Sequence, residues 1–336
     1  MLQRSWYWLL LAGVAMLVGI GLFAVTVPSG DYLYVPNEAR PLASKVEVED
    51  ETTPDATGGV YYVDVTLRRA RWLDRIVPFV RPEGSTLVPG HAVTSPGQSF
   101  KERIAAARSE MSRSEQIAAA VAMQAAGIEV DAVPRGALVE AVAVDVPAAG
   151  TLASGDVIVG AAGRRVQTPA QLRDAVGTVA PGDDLQVRFR RDDLPFERTV
   201  RTVAAPDDEQ RAIIGVSVDQ AVKIRLPLDV EIDLGDVGGP SAGLPFALEV
   251  FQALGNDVDR GYRVAATGKV ELDGSIGSVG GVKQKTYGVR SADADVFLVP
   301  AGENAATARR YAGGLRVIGV ASFAEALRIL KTLPVK

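Results

Sequence analysis

Apolar and polar positions divide the chain into three kinds of stretch. The first is a single unbroken apolar run. Residues 5–30 carry no charge and residues 6–27 are almost wholly apolar, enough for a helix that spans a bilayer, which takes about 20 residues. Trp6, Tyr7 and Trp8 would lie at one interface, with Arg4 as the flanking positive charge. The positive-inside rule then places the N-terminus in the cytoplasm and the rest of the chain outside. A cleaved signal peptide would have a shorter apolar core, about 7–15 residues, and a small-x-small site. Phe23-Ala24-Val25-Thr26-Val27 offers no good site. The run, residues 1–28, is therefore read as an uncleaved single-pass anchor in the cell membrane, with the remainder extracytoplasmic.

The second kind of stretch is short and strand-like. Residues 29–58 are polar, acidic and proline-containing and read as a linker. Residues 59–67 are β-branched and aromatic and read as a strand. Residues 68–79 suit a short amphipathic helix and 80–98 a loop. Residues 100–126 are alanine-rich, with charges in the first half, and read as a helix or a pair of helices ended by Gly127. From 128 to 203 strands and glycine turns dominate, with one helix from Pro169 capped by Thr168. Residues 204–210 form a polar hinge. The third kind is alternation of strands with helices, from Ala212 to the end, which means an α/β domain.

At the centre of that last stretch stands Gly235-Asp236-Val237-Gly238-Gly239-Pro240-Ser241-Ala242-Gly243. A strand-like run, 226–234, enters it and an apolar helical run, 244–254, leaves it. Ser241 at such a helix start is either an N-cap after a glycine turn or a nucleophile at the positive end of a helix dipole, with free backbone N–H groups around it. Composition narrows the chemistry. The 336 residues include no cysteine, so disulfides, thiolate metal sites and cysteine nucleophiles are excluded. A lone histidine, His91, lies in a loop far along the chain from Ser241, which leaves neither a zinc site nor a Ser-His-Asp triad well supplied. The net charge of -5 is mild and there is no strong basic cluster, so nucleic acid is not an expected partner. Hydrophobic content of 47% and a mean hydropathy of +0.13 agree with a membrane-embedded part. If Ser241 is a nucleophile, a lysine is the usual substitute base. Lys283 and Lys285 follow Gly280-Gly281 at a helix start, and two apart on a helix at most one can face Ser241.

Two resemblances follow from these motifs. Gly136-Ala137-Leu138-Val139, Pro147-Ala148, Leu152, Gly155-Asp156-Val157-Ile158, Gly163-Arg164-Arg165-Val166 and Pro181-Gly182-Asp183 resemble a PDZ domain of the bacterial protease type. The resemblance implies a groove in which a peptide adds as a strand to a sheet edge. The groove is expected between the Leu138 strand and the Pro169 helix, with Arg135, Gly136, Ala137, Leu138 and Val139 as binding residues. The part from Ala212 resembles the proteolytic domain of the Lon proteases. It does so through Gly239-Pro240-Ser241-Ala242-Gly243, Thr267-Gly268, Glu271-Leu272-Asp273-Gly274, Gly280-Gly281-Val282-Lys283-Gln284-Lys285 and Val296-Phe297-Leu298-Val299-Pro300. That likeness implies Ser241 as nucleophile, Lys285 as its partner and Thr267 in support, with Gly239, Pro240 and Ala242 shaping the loop. The ATP-dependent members carry Asp where this chain has Gly238, which makes Asp236 a candidate to order the loop. They carry Glu where this chain has Lys269, a charge expected to help lower the pKa of Lys285.

No Gly-x-x-x-x-Gly-Lys-Ser/Thr occurs, so no ATP-driven unfolding is encoded in the sequence. Anchor, PDZ unit and Lon-type unit together resemble the PDZ-containing Lon-like serine proteases of Gram-positive bacteria and actinobacteria. The expected fold is an α/β Lon-type proteolytic domain plus a β-rich PDZ domain, with an N-terminal transmembrane helix. The expected divisions are anchor 1–28, linker 29–58, strand and helix segment 59–126, PDZ domain 127–205 and proteolytic domain 206–336. Segment 59–126 either stands alone or belongs to the Lon-like fold with the PDZ unit inserted, and its strand and helix suit the second. The implied function is an ATP-independent serine endopeptidase with a Ser-Lys dyad and no cofactor or metal. It would act on unfolded or tail-exposed polypeptides, and a homo-oligomeric ring, commonly a hexamer, is implied. The alternative is a catalytically idle, membrane-tethered PDZ adaptor.

Overall fold

A computed structural model describes residues 2–49, 58–93, 100–143, 145–235 and 237–336, without the side chains of 2–6, 9, 10, 91 and 100–106. Its helices are α1 (Leu2–Thr26), α2 (Trp72–Ile76), α3 (Phe100–Ala125), α4 (Pro169–Val176), α5 (Gly243–Ala253), α6 (Val282–Ser291), α7 (Glu303–Tyr311) and α8 (Phe323–Lys331). Among the described residues, no helix is long and apolar enough to cross a membrane.

The sheet that organises the α/β unit has five strands in the order Arg40–Pro41, Gly59–Tyr62, Arg263–Ala266, Val296–Pro300, Arg316–Val320. The last four run parallel. Parallel strands are covered on both faces, so they read as continuous apolar runs rather than alternating ones. Val264, Ala265 and Ala266 are all fully buried, as are Phe297, Leu298 and Val299. Alternate residues feed two cores. Val264, Ala266 and Leu298 pack with α3, α5 and α8 on one face, while Ala265, Phe297 and Val299 pack with α6 and α7 on the other.

Strand Gly59–Tyr62 lies inside this sheet, bonded to Arg263–Ala266, and α3 packs on α5 in the same core. The unit is thus built from chain on both sides of the β-rich unit. The expected linker 29–58 is corrected. Pro28–Pro36 is the middle strand of a three-stranded sheet, between Val65–Arg71 and Thr86–Val88, and Val46–Val48 pairs with Val230–Ile232. The polar composition hides a few apolar anchors, Leu33, Leu42, Val46 and Val48, that are buried. Residues 50–57 lie outside the described residues. The amphipathic helix expected at 68–79 is also corrected. The strand continues to Arg71, and only α2 and the 3-10 turn Pro78–Val80 are helical.

The β-rich unit has a sheet with strands in the order Leu194–Arg201, Asp184–Arg191, Val157–Ala161, Asp131–Val142, Val216–Arg225. Helix α4 lies against it, with the Thr168 hydroxyl accepting from Gln171 N at 3.2 Å and Pro169 in the first turn. Here the expected peptide site is corrected. Val139, Leu138, Ala137 and Gly136 pair with Val218, Asp219, Gln220 and Ala221 on one side. Ala137 and Leu138 pair with Ile158 and Val157 on the other. The strand carrying Arg135, Gly136, Ala137, Leu138 and Val139 therefore has no free edge for a peptide to add to. The end strand beside α4 is Val216–Arg225, and Gln220 Nε2 donates to Gln167 O at 2.8 Å just ahead of that helix. The expected hinge 204–210 is corrected too, because Val203–Ala205 and Asp208–Ile213 pair as an antiparallel hairpin. The end strand follows that hairpin, so its sequence position assigned it to the next unit. Its far end does serve that unit, since Val222 and Ile224 pack on the α/β core.

Candidate active site

Gly239 turns the chain at φ +94° into a single 3-10 turn, Pro240–Ala242, which runs straight into α5. The cap position of α5 is Ala242, so Ser241 is not spent as an N-cap. The turn is held from two sides. Helix α3 supplies Ala107 O, which accepts from Gly239 N at 2.7 Å, and Ser114 Oγ, which donates to Pro240 O at 3.2 Å. The strand end at 267–268 supplies Gly268 N and Thr267 Oγ1, which donate to Ser241 O at 2.9 and 3.0 Å. A Cβ on Gly243 would stand 2.9 Å from both Ser114 Oγ and Val270 N, so only glycine permits this close approach. Gly238 stands against α3 in the same way, with an added Cβ 3.0 Å from that of Ala107. Asp236 lies outside the described residues.

Lys285 projects from the first turns of α6 to meet the serine. Its Nζ is 2.7 Å from Ser241 Oγ and 2.9 Å from Thr267 Oγ1. Lysine and threonine are both buried. Loss of water lowers the Lys285 pKa to about 7, against an opposing pull from Asp64. Lys283 faces elsewhere, donating to Ser85 O at 3.2 Å and Thr86 Oγ1 at 3.3 Å. The two lysines are thus separated by helical phase, as their spacing requires.

Lys269 does not act on Lys285. It is paired with Asp219 and lies 3.4 Å from Glu271. Burial alone would lower its pKa, but those carboxylates raise it, so it stays charged within its own pairs. The expectation that it depresses Lys285 is corrected. The pairs extend further: Arg113 of α3 reaches Asp219 at 3.4 Å and Glu140 at 3.3 Å. The network joins the β-rich sheet to α3 and to the strand that follows Thr267.

Ser241 and Lys285 open on a groove of about 610 Å3 whose far wall is residues 63–67. Asp64 there is held by Arg40 at 3.0 Å and Asn37 at 2.9 Å, and Thr66 Oγ1 donates to Asn37 Oδ1 at 3.0 Å. Val65–Arg71 is the end strand of its sheet. None of these wall residues was singled out from the sequence. The β-branched and aromatic content of 59–67 marked a strand, but nothing local said that its edge would face Ser241, far along the chain. The backbone at His91 is a short 3-10 turn, and its side chain lies outside the described residues. Among the described residues no cluster of three or more His, Cys, Asp or Glu is placed to hold a metal ion.

Comparison with known proteins agrees with the two folded units. Residues 124–202 match the model of the PDZ domain, and residues 219–329 match that of the Lon protease (S16) C-terminal proteolytic domain. Lon protease 2 of Bacillus subtilis (strain 168) is 30% identical over 109 residues, which are 32% of this chain and 18% of that protein. The chain thus spans about a fifth of the length of that curated relative. Among solved structures, the PDZ domain of an SdrC-like protein from Listeria monocytogenes is 24% identical, covering 25% of this chain and 86% of that one, with a TM-score of 0.23. A protein of Geobacillus thermodenitrificans is 30% identical, covering 25% and 97%, also with a TM-score of 0.23. The chain thus carries a region similar to the PDZ domain followed by one similar to the Lon-type C-terminal proteolytic domain, the combination of a PDZ-containing Lon-like protease.

Proposed function

We propose that the chain is an ATP-independent serine endopeptidase, anchored in a membrane, in which Lys285 activates Ser241. The observation that carries this is the buried Lys285 amine 2.7 Å from the Ser241 hydroxyl, with its pKa lowered to about 7. A neutral amine has two N–H groups and one lone pair. Thr267 uses its own hydrogen on Ser241 O, so its oxygen accepts from Lys285. That leaves the lysine lone pair for the Ser241 proton. Ser241 Oγ attacks the scissile carbonyl as its proton passes to Lys285. The ammonium then protonates the leaving amine and the C–N bond breaks, giving an acyl-enzyme. Water attacks the ester with Lys285 again as base, releasing the acid and restoring the serine. Backbone N–H groups at the start of α5 hold the oxyanion, each donor typically worth about 3–4 kcal/mol.

The groove wall at 63–67 suits an extended peptide laid along a strand edge, and unfolded or tail-exposed polypeptides are the substrates. The PDZ domain recognises them along the Val216–Arg225 edge. A ring of identical chains, six in number, completes the reading. Support for the anchor comes from the charge-free run 6–27 and from α1, on which Leu11, Met16, Leu17, Val18 and Leu22 lie exposed. Such apolar surface needs a nonaqueous partner.

The test is cleavage of casein. Ser241→Ala and Lys285→Ala each abolish it, whereas Lys283→Ala retains it. Activity surviving in both of the first two variants would refute the dyad, and loss in Lys283→Ala but not Lys285→Ala would reassign the base.

A further inference from the structure

Outside α1, three of the six exposed large apolar side chains among the described residues lie within one short segment, while Val133, Leu194 and Val335 stand singly. Ile76 is 66% exposed, Phe79 88% and Val80 44%, and Phe79 is the most exposed of its kind among the described residues. The segment that carries them is firmly built. Asp74 is buried and accepts from Arg68 through two bonds of 2.9 and 2.8 Å and from Arg71 N at 2.8 Å. Arg81 Nε donates to Asp74 O at 2.5 Å and closes the segment from its other end. The scaffold holds Phe79 and its neighbours out instead of letting them fold under.

The segment also has a specific place. Trp72 N donates to Val27 O at 3.2 Å, the Phe23 and Trp72 rings lie 6.4 Å apart, and Pro28 pairs with Arg71. It therefore adjoins the C-terminal end of α1. Arg69, Arg71 and Arg75 are exposed within the same stretch, with Arg75 stacked over Trp72 at 5.6 Å and paired with Asp31 at 3.0 Å. Aromatic and aliphatic tips framed by arginines are the chemistry of a segment that lies in the headgroup region of an anionic bilayer.

We infer that residues 72–80 form a second membrane contact, with Ile76, Phe79 and Val80 dipped into the lipid surface beside the exit of α1. This rests on the anchor reading above. Its consequence concerns the substrate. Strand Val65–Arg71 runs from the groove wall to this contact, and six steps of about 3.3 Å make roughly 20 Å. The groove wall is thus tied to the start of the contact segment by a single strand of about that length. The substrates it meets are polypeptide segments close to the membrane, such as the juxtamembrane stretches of chains still held in it.

The lack of cysteine makes the test direct. The full chain is reconstituted into vesicles of phosphatidylcholine and phosphatidylglycerol, with single cysteines bearing an environment-sensitive dye. Phe79→Cys and Val80→Cys sample the segment, the latter keeping Phe79. Leu17→Cys samples α1, and Leu194→Cys, on a distant exposed hairpin, gives the background. Dyes at 79 and 80 should be quenched several-fold by lipids that carry a quencher near the headgroup, the dye at 17 by lipids that carry it deep, and the dye at 194 by neither. Quenching at 17 without quenching at 79 or 80 overturns the second contact and leaves the anchor standing. No quenching at 17 overturns the anchor, and this inference with it.

Discussion

A lysine with a pKa of about 7 is half neutral at neutral pH, and only the neutral form can take a proton from Ser241. Cleavage of an unfolded substrate should therefore rise with pH and level off above about 7, in a pH profile of kcat/KM on the full chain. Thr267→Val removes the group that turns the amine and leaves Ser241 O with one donor instead of two. Hydrogen bonds of this kind are worth about 1–3 kcal/mol, so kcat should fall roughly 10–100-fold with little change in KM. Another buried group acts on stability instead of chemistry. Glu249 of α5 is fully buried with neither carboxylate oxygen bonded, and burial raises its pKa to about 7. The folded chain binds this proton more tightly than the unfolded chain does, so the stability tied to it is present at low pH and lost as pH rises from about 4.5 through 7. Glu249→Gln should remove that dependence and raise the unfolding midpoint above pH 7, as read by thermal melts at several pH values.

Ser241, Lys285 and Thr267 meet because three elements are pressed together with almost no clearance. Helix α6 is held against residues 37–39, where Ala39 N donates to Gly288 O at 3.1 Å. A Cβ on Gly288 would lie 1.8 Å from Asn37 O, inside any allowed contact. Gly288→Ala must therefore push α6 outward, at a cost of about 1–3 kcal/mol or more. Since Lys285 rides on α6, a lower melting temperature should come with a disproportionate loss of activity. Local composition marked α3 as an alanine-rich run, α5 as an apolar run and the start of α6 by its double glycine. It misread 29–58, where widely spaced anchors such as Leu33 and Val46 sit among polar residues. It also misread 68–79, where Arg68 and Arg71 close on Asp74 across the end of a strand.

The β-rich unit is joined to the catalytic unit by charge as well as by chain. Asp219 on its end strand meets Lys269 and Arg113, and Glu140 on the next strand completes the set. Asp219→Ala would leave a largely buried lysine with Glu271 as its remaining partner, and broken buried pairs typically cost about 3–5 kcal/mol. Thermal unfolding should show a loss near the low end of that range, and limited proteolysis should cut residues 204–210 faster. Because Lys269 follows Thr267-Gly268 directly, the same strand that would carry a peptide in the PDZ domain also leans on the backbone beside Ser241.

By itself the sequence determined what depends on short, local patterns. It named the two family resemblances, the serine turn, the lysine helix and the helix caps, because each is written in a few consecutive residues. It excluded thiol chemistry by composition alone. Only the tertiary structure decided what depends on partners far apart in the chain. It seated Lys285, which the resemblance had already named, beside Ser241 and turned Lys283 away, moved the free edge of the β-rich sheet to Val216–Arg225, and paired 28–48 into sheets beside the catalytic residues. The physical reason is that strand pairing and desolvation are properties of neighbours in space. A residue's own sequence window records its preference for a strand or a helix, but not which backbone will satisfy it or how much water its charge will lose.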